Sequence, residues 1–377
     1  MRLIAGVMAV FLAGAAPAKQ AVDPAEAARA AAQRLSRAGA LLEAAERADN
    51  RVKALTEAIR AYEAGLEAMR EGMRRAAIRE QMLSRDLAVR EQDVARLLGV
   101  LQSIAMTPPE VLLLHPDGPL GTARSAMMVA EVTPALRARA EALQDRLQEV
   151  TTLRALQKNA AQKLRKALEA AQTARAELSQ AIADRKKLPR RFVEDPKQTA
   201  LLIAATDTLD GFASGLGNIA VNEVPGSLPP VTNRKGDLPL PVKGTILRRA
   251  GEADAAGITR PGIVVATRPH ALVTIPVPAT VRYRGPLLDY GNVMILEPQA
   301  GILLVMAGLD VVYGQAGEVL PGGSPVGLMG GPEAGADGLL LPTDSSAGAR
   351  QTQTLYIEVR EDNSPVDPET WFRTDKG

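Results

Sequence analysis

The chain has 377 residues, of which 46% are hydrophobic but only 3% aromatic, a balance that favours long alanine-rich helices over a large globular enzyme core. Lys and Arg total 45 against 43 acidic residues, and five Tyr, four Phe and one Trp offer little to stack on bases, so nucleic acid is excluded as a partner class. Cysteine is absent, which rules out disulfides and a lipidated cysteine anchor.

Residues 1–18 have the layout of a secretory signal. Arg2 supplies the positive end, Leu3 to Leu12 the apolar segment, and Ala16-Pro17-Ala18 a small-x-small cleavage pattern. The alternative is an uncut membrane anchor, for which the apolar run is short of the roughly 20 residues a bilayer span needs. The expectation is an exported protein beginning near Lys19.

Residues 19–192 are expected to form a coiled-coil hairpin. From Val52, the residues Leu55, Ile59, Tyr62, Leu66, Met69, Met73 and Ala76 recur at spacings of three and four, and the phase continues through Glu80, Leu83, Leu87, Arg90, Val94, Leu97, Leu101 and Ile104, a heptad seam with occasional polar positions. A second seam runs Leu136, Ala140, Leu143, Leu147, Val150, Arg154, Gln157, Ala161, Leu164, Leu168, Ala171, Arg175, Leu178 and Ile182. Thr107-Pro108-Pro109 stops the first seam, and residues 110–134 are expected to be short helices at the tip. Arms of about 70 residues would reach roughly 100 Å. Heptads do not reveal strand direction, so a parallel homodimeric coil is the alternative. His115, among prolines at the tip, reads as a turn residue.

Residues 193–235 read as a regulatory helix and linker. Leu202, Ala205, Leu209, Phe212 and Leu216 form one apolar stripe on a helix expected over 197–216, followed by a Gly-, Pro- and Asn-rich stretch. A helix of about 20 residues is marginal alone and must bury that stripe, either on the hairpin base or over the next domain as a removable cover.

From residue 236 to 377 the pattern changes to short apolar strands broken by Gly and Pro, with the clearest at 262–266, 271–275, 292–296 and 302–306. Thr354-Leu355-Tyr356-Ile357-Glu358-Val359-Arg360 alternates at period two and reads as a strand with one face inward. The fold class is therefore α+β: a long antiparallel helical hairpin followed by a C-terminal all-β domain.

Several landmarks of that domain resemble the lysostaphin-like (LytM) zinc peptidases. They are Leu240-Pro241-Val242-Lys243-Gly244, Leu288-Asp289-Tyr290-Gly291-Asn292, Gly314-Gln315-Ala316-Gly317, Pro325-Val326-Gly327, Val366-Asp367-Pro368 and the 354–360 strand. With an exported heptad hairpin upstream, the chain resembles the EnvC family of murein hydrolase activators. In an active LytM relative the zinc and catalytic positions are His and Asp. The resemblance places Arg260, Val264, Gly308, Thr354 and Tyr356 there, a set that supplies no imidazole and no carboxylate. It thus implies a domain without cofactor or catalysis, and a groove lined by Val264, Tyr290, Val293, Met306, Tyr356 and Arg360 that takes a partner helix.

It further implies a periplasmic protein that activates a cell-wall amidase, is covered at rest by the 197–216 helix, is released through the FtsEX inner-membrane complex, and meets peptidoglycan only indirectly. The competing readings are a zinc endopeptidase acting on peptidoglycan and a periplasmic adaptor of an export pump. Adaptors insert their hairpin between two halves of a β domain, whereas every strong strand signal here lies after the hairpin.

Overall fold

The computed structural model describes residues 24–47, 50–89, 118–185, 188–216, 228–332 and 353–374, with four isolated positions between 95 and 102. The signal-like segment, His115 and most of the loop after Gly331 lie outside the described residues. No helix among the described residues is long and apolar enough to cross a membrane.

Among the described residues the N-terminal part contains three long helices where the heptads predict two arms. These are α1 (Pro24–Ala45), α2 (Arg51–Val89) and α3 (Gly118–Ala183). The turn after α1 folds it back along α2, and small residues set the spacing. A Cβ at Gly65 would lie 2.6 Å from Leu35 Cδ2. The buried line of α2 is the expected one, from Val52 through Leu55, Ile59, Tyr62, Leu66, Met69, Met73 and Ala76 to Leu83. On α3 the expected Val150, Leu164, Ala171 and Leu178 are buried, but the seam positions between them are displaced by one residue. Leu153, Ala160, Ala167 and Ala174 are buried there rather than Arg154, Ala161, Leu168 and Arg175. Alanine at these positions lets the helices approach closely, while α1 widens the buried face. Beyond the reach of α1 that support ends, and Leu147 of the expected seam is 51% exposed. Ion pairs Arg51–Glu177 (3.3 Å), Arg79–Glu149 (2.7 Å) and Arg146–Asp86 (2.8 Å) run in opposite directions along the two helices and mark α2 and α3 as antiparallel.

A second correction concerns the tip. Residues 118–134 belong to the single helix α3, which runs through Pro134, rather than to separate short helices. A proline deletes one backbone donor, and the Ala-, Leu-, Arg- and Glu-rich residues after it keep the helix propagating.

The C-terminal part is a ten-stranded sheet whose pairings are all antiparallel. Its strands are β1 (Gly244–Arg248), β2 (Ile263–Thr267), β3 (Leu272–Thr274), β4 (Ala279–Pro286), β5 (Asn292–Gln299), β6 (Ile302–Val312), β7 (Val319–Leu320), β8 (Pro325–Met329), β9 (Gln353–Glu361) and β10 (Ser364–Val366). The main path is β1-β2-β9-β6-β5-β4-β7, with β10 on β9, and with β8 joining β3 to β6. The five strands predicted above are present as β2, β3, β5, β6 and β9.

One face of the sheet encloses the main core, built from alternate residues such as Ile263, Val265, Met294, Leu296, Leu304, Met306, Leu355 and Ile357, with Trp371 and Phe372 from the C-terminal tail. The helical part is rooted on the β3–β8 side. Leu55, Ile59 and Leu178 pack on Leu272, Tyr313 and Leu328. The Glu63 carboxylate accepts the Leu272 N–H at 2.9 Å, and Ser179 and Tyr313 share a hydroxyl hydrogen bond of 2.9 Å. Burial raises the Glu63 pKa, opposed by that N–H and by the Arg175 cation.

Candidate partner-docking groove

The opposite sheet face carries the candidate site. In β5, β6 and β9 the residues out of phase with the main core point to it: Val293 and Ile295; Leu303, Val305 and Ala307; Tyr356, Glu358 and Arg360. Two short helices reach this face: α4 (Pro196–Ala205) and α5 (Leu209–Gly215). The single helix expected over 197–216 is therefore broken. Thr206 is extended at φ −120°, ψ 130°, and the Thr208 hydroxyl then accepts the Gly211 N–H at 3.1 Å as the N-cap of α5. Threonine competes well for backbone donors in this way, so a pair flanking Asp207 ends one helix and starts the next.

The break changes which stripe residues count. Leu209, Phe212, Ala213 and Leu216 are buried against Tyr283, Leu287, Val293, Ile295, Leu303, Val305 and Ala307. The Phe212 ring meets Tyr283 edge-on, with centroids 4.7 Å apart. Leu202 packs partly against this cluster and lies on Gly215, whereas Ala205 is exposed and leaves the expected stripe.

At the rim of the groove a polar chain runs from the sheet to α5. The Gly262 N–H donates to the Tyr356 hydroxyl (3.1 Å), which donates to Glu358 Oε2 (2.6 Å). Arg360 Nη1 then bridges Glu358 Oε1 (2.8 Å) and Asp210 Oδ1 of α5 (2.5 Å). Its Nη2 donates to Ser214 of the same helix at 3.1 Å and to the Asn363 carbonyl. The Arg360 side chain is 1% exposed, whereas Asp210 remains 65% exposed. Burial, then the Glu358 charge and its hydrogen bond, push the Tyr356 hydroxyl far above the ordinary tyrosine range. Tyr356 thus keeps its proton and serves as a hydrogen-bond donor to Glu358. The polar face of β9 is consequently covered as well as the apolar one, contrary to a strand with one face inward.

Of the six expected groove residues, Val264, Tyr290, Val293, Tyr356 and Arg360 share this face or its rim. Met306 does not. It is wholly buried in the main core, because alternation on β6 sends Leu303, Val305 and Ala307 to the groove and their neighbours to the other side. These three, with Tyr283, Leu287 and Ile295, belong to the groove and are absent from the expected lining. Reading β6 and β5 strictly at period two would have found the strand residues.

The five positions assigned to a former metal site are only partly adjacent. Val264 pairs directly with Tyr356 across β2 and β9, and Tyr356 faces Ala307 on β6. Gly308, at φ +92°, lies against the Thr354 carbonyl; a Cβ there would sit 2.7 Å from that oxygen. Arg260 turns toward Asp254, 3.8 Å away. A zinc ion does not fit this set. Val264 and Gly308 bring no donor atom, Arg260 is cationic, and the Tyr356 hydroxyl is already committed to Gly262 and Glu358. Among the described residues no group of three His, Cys, Asp or Glu could hold a metal ion.

No protein-family profile matches the chain. Over 148 residues, 39% of its length, it is 25% identical to an uncharacterised protein of Neisseria meningitidis serogroup B, and it spans only 22% of that relative. Solved structures similar to it include a zinc-containing peptidase from Vibrio cholerae, at 20% identity, covering 35% of this chain and 39% of that one with a TM-score of 0.27. Helicobacter pylori Csd3 is another, at 21% identity, covering 37% and 36% with a TM-score of 0.28. Lysostaphin is a third, at 13% identity, covering 34% and 48% with a TM-score of 0.25.

Proposed function

We propose that this chain is a non-catalytic activator of cell-wall amidases, acting outside the cytoplasm, whose sheet groove docks a helix of the amidase and whose own α5 occupies that groove at rest. The observation that carries the reading is the seating of α5. A seven-residue helix places Phe212 in an apolar trough and Asp210 on a buried arginine, the two kinds of contact a partner helix would make. Its grip is modest. It rests on three buried apolar side chains, Leu209, Phe212 and Leu216, opposed by the entropy of ordering the segment. A cover of that kind leaves a minor open population that a ligand of the open form can draw upon.

In this reading the helical arms are the input end, where a membrane-bound division complex of the FtsEX type would bind. The chemistry belongs to the amidase, since the residues lining the groove offer no metal ligand set. The direct test compares the full chain with a variant lacking 196–216, each mixed with candidate amidases on dye-labelled cell wall. Greater dye release with the shortened variant is expected. Equal release from both, or release by either one without an amidase, would sink the proposal, and stoichiometric zinc in the purified protein would favour an endopeptidase instead.

A further inference from the structure

Between the end of α3 and the start of α4, residues 188–193 form a strap along the β7 edge of the sheet. The Arg191 N–H donates to the Gly317 carbonyl (2.8 Å), the Val319 N–H donates to the Pro189 carbonyl (2.9 Å), and Arg190 bridges Glu318 in antiparallel register. The fit at Gly317 requires glycine twice over. Its φ is +85°, and a Cβ there would collide with the Phe192 carbonyl oxygen.

Side chains fasten the strap to β4 and β5. Arg191 Nη1 reaches Thr280 (3.1 Å) and Glu297 (3.3 Å), Arg282 pairs with the same Glu297 at 2.7 Å, and the Arg282 guanidinium lies 5.0 Å from the centroid of the buried Phe192 ring. The next residue on β4 is Tyr283, the floor on which Phe212 of α5 rests. Burial raises the Tyr283 pKa, and the Glu194 carboxylate, one residue past the strap, adds to the rise.

Little slack separates the strap from the cover. Only Glu194 and Asp195 lie between Val193 and α4, and the Asp195 carboxylate is itself pinned as the α4 N-cap, accepting the Lys197 N–H at 2.9 Å. Leu202 of α4 then sits on Gly215 of α5. At the far end, Val231 returns to the main core and its N–H is held by Gln299 at 2.9 Å.

We propose that the strap and the α4–α5 cover are one clasp, seated on β4 and opening as a single cooperative unit. The arms lead into the strap, and among the described residues no arm residue belongs to the groove cluster, so movement of α3 reaches the groove through Arg191, Phe192 and β4. Its regulatory meaning rests on the docking reading above; its cooperativity does not.

Native-state amide exchange of the full chain tests this without any amidase. The Arg191 and Val319 amides report on the strap, and the Phe212 and Leu216 amides, bonded to Thr208 and Phe212 carbonyls, report on the cover. Thr208→Ala removes only the α5 cap and is expected to speed exchange by about fivefold at the strap as well as the cover. Gly317→Ala, which touches no groove residue, is expected to speed the Phe212 and Leu216 amides about tenfold or more, while β9 amides keep their rates. Either variant accelerating its own half and leaving the other unchanged would overturn the clasp, as would coupled exchange that spreads equally to β9. A clasp that passes this test while deletion of 196–216 gives no amidase gain would leave the device standing and remove the function assigned to it.

Discussion

Arg360 is held by two carboxylates from different parts of the chain, and that shared position governs what its loss would do. Arg360→Ala leaves Glu358, 3% exposed, without its cation, and removing one partner of a buried pair costs about 3–5 kcal/mol. Urea denaturation should register that loss, whereas Asp210→Asn, at the solvated end of the chain, should cost about 1 kcal/mol or less. Tyr356 gives a pH signature. A hydroxyl whose folded pKa lies above the unfolded value of about 10 stays protonated while the unfolded chain ionises, so folding stability is intact below pH 10 and falls as pH rises beyond it. Tyr62, Tyr283 and Tyr313 are raised in the same direction. Tyr356→Phe should therefore lessen the alkaline slope by up to about 1.4 kcal/mol per pH unit, and at neutral pH should cost about 1–3 kcal/mol by leaving Glu358 short of a donor. Urea midpoints at pH 8, 10 and 11 on both proteins would separate the two effects. Tyr356 and Arg360 were legible in the sequence as groove residues on one alternating strand. Asp210, the second carboxylate on Arg360, was not, because it arrives from a helix 150 residues upstream.

Element by element, the differences trace to whether the local pattern was decisive. On α2 one apolar phase dominates, and the buried line is where the spacing put it. On α3 Val150, Leu164, Ala171 and Leu178 hold the expected phase, whereas Leu153, Ala160, Ala167 and Ala174 are buried in place of Arg154, Ala161, Leu168 and Arg175, because contact with α1 and α2 favours small or uncharged side chains. Gly65 is the corresponding device on α2. Gly65→Val drives a branched side chain into Leu35 and its backbone and should lower stability by about 1–3 kcal/mol, read by thermal circular dichroism. Gly72→Ala meets nothing nearer than 3.7 Å and should be neutral or stabilising by up to about 1 kcal/mol. The cover was visible as an apolar stripe, but its break at Thr206–Thr208 was hidden. A threonine can sit in a helix or cap one, and the sheet beneath decides which.

At the scale of the whole molecule, the helical part and the sheet meet through a hydrophobic root and a carboxylate that caps the free edge of β3, while the groove lies on another face. The root and the groove are thus separated in space, and the strap lies between α3 and the α4–α5 pair in the chain. The sequence by itself determined the order of parts, helices first and strands after, the β9 motif, and the absence from this chain of a His-rich metal set, since these depend on composition and short-range periodicity. Only the tertiary structure decided that a third helix joins the bundle, that Met306 faces the main core, and that α5 rather than the entire 197–216 segment fills the groove. Each of those outcomes depends on contacts between residues far apart in the chain, where several local patterns are nearly equal in energy and packing breaks the tie.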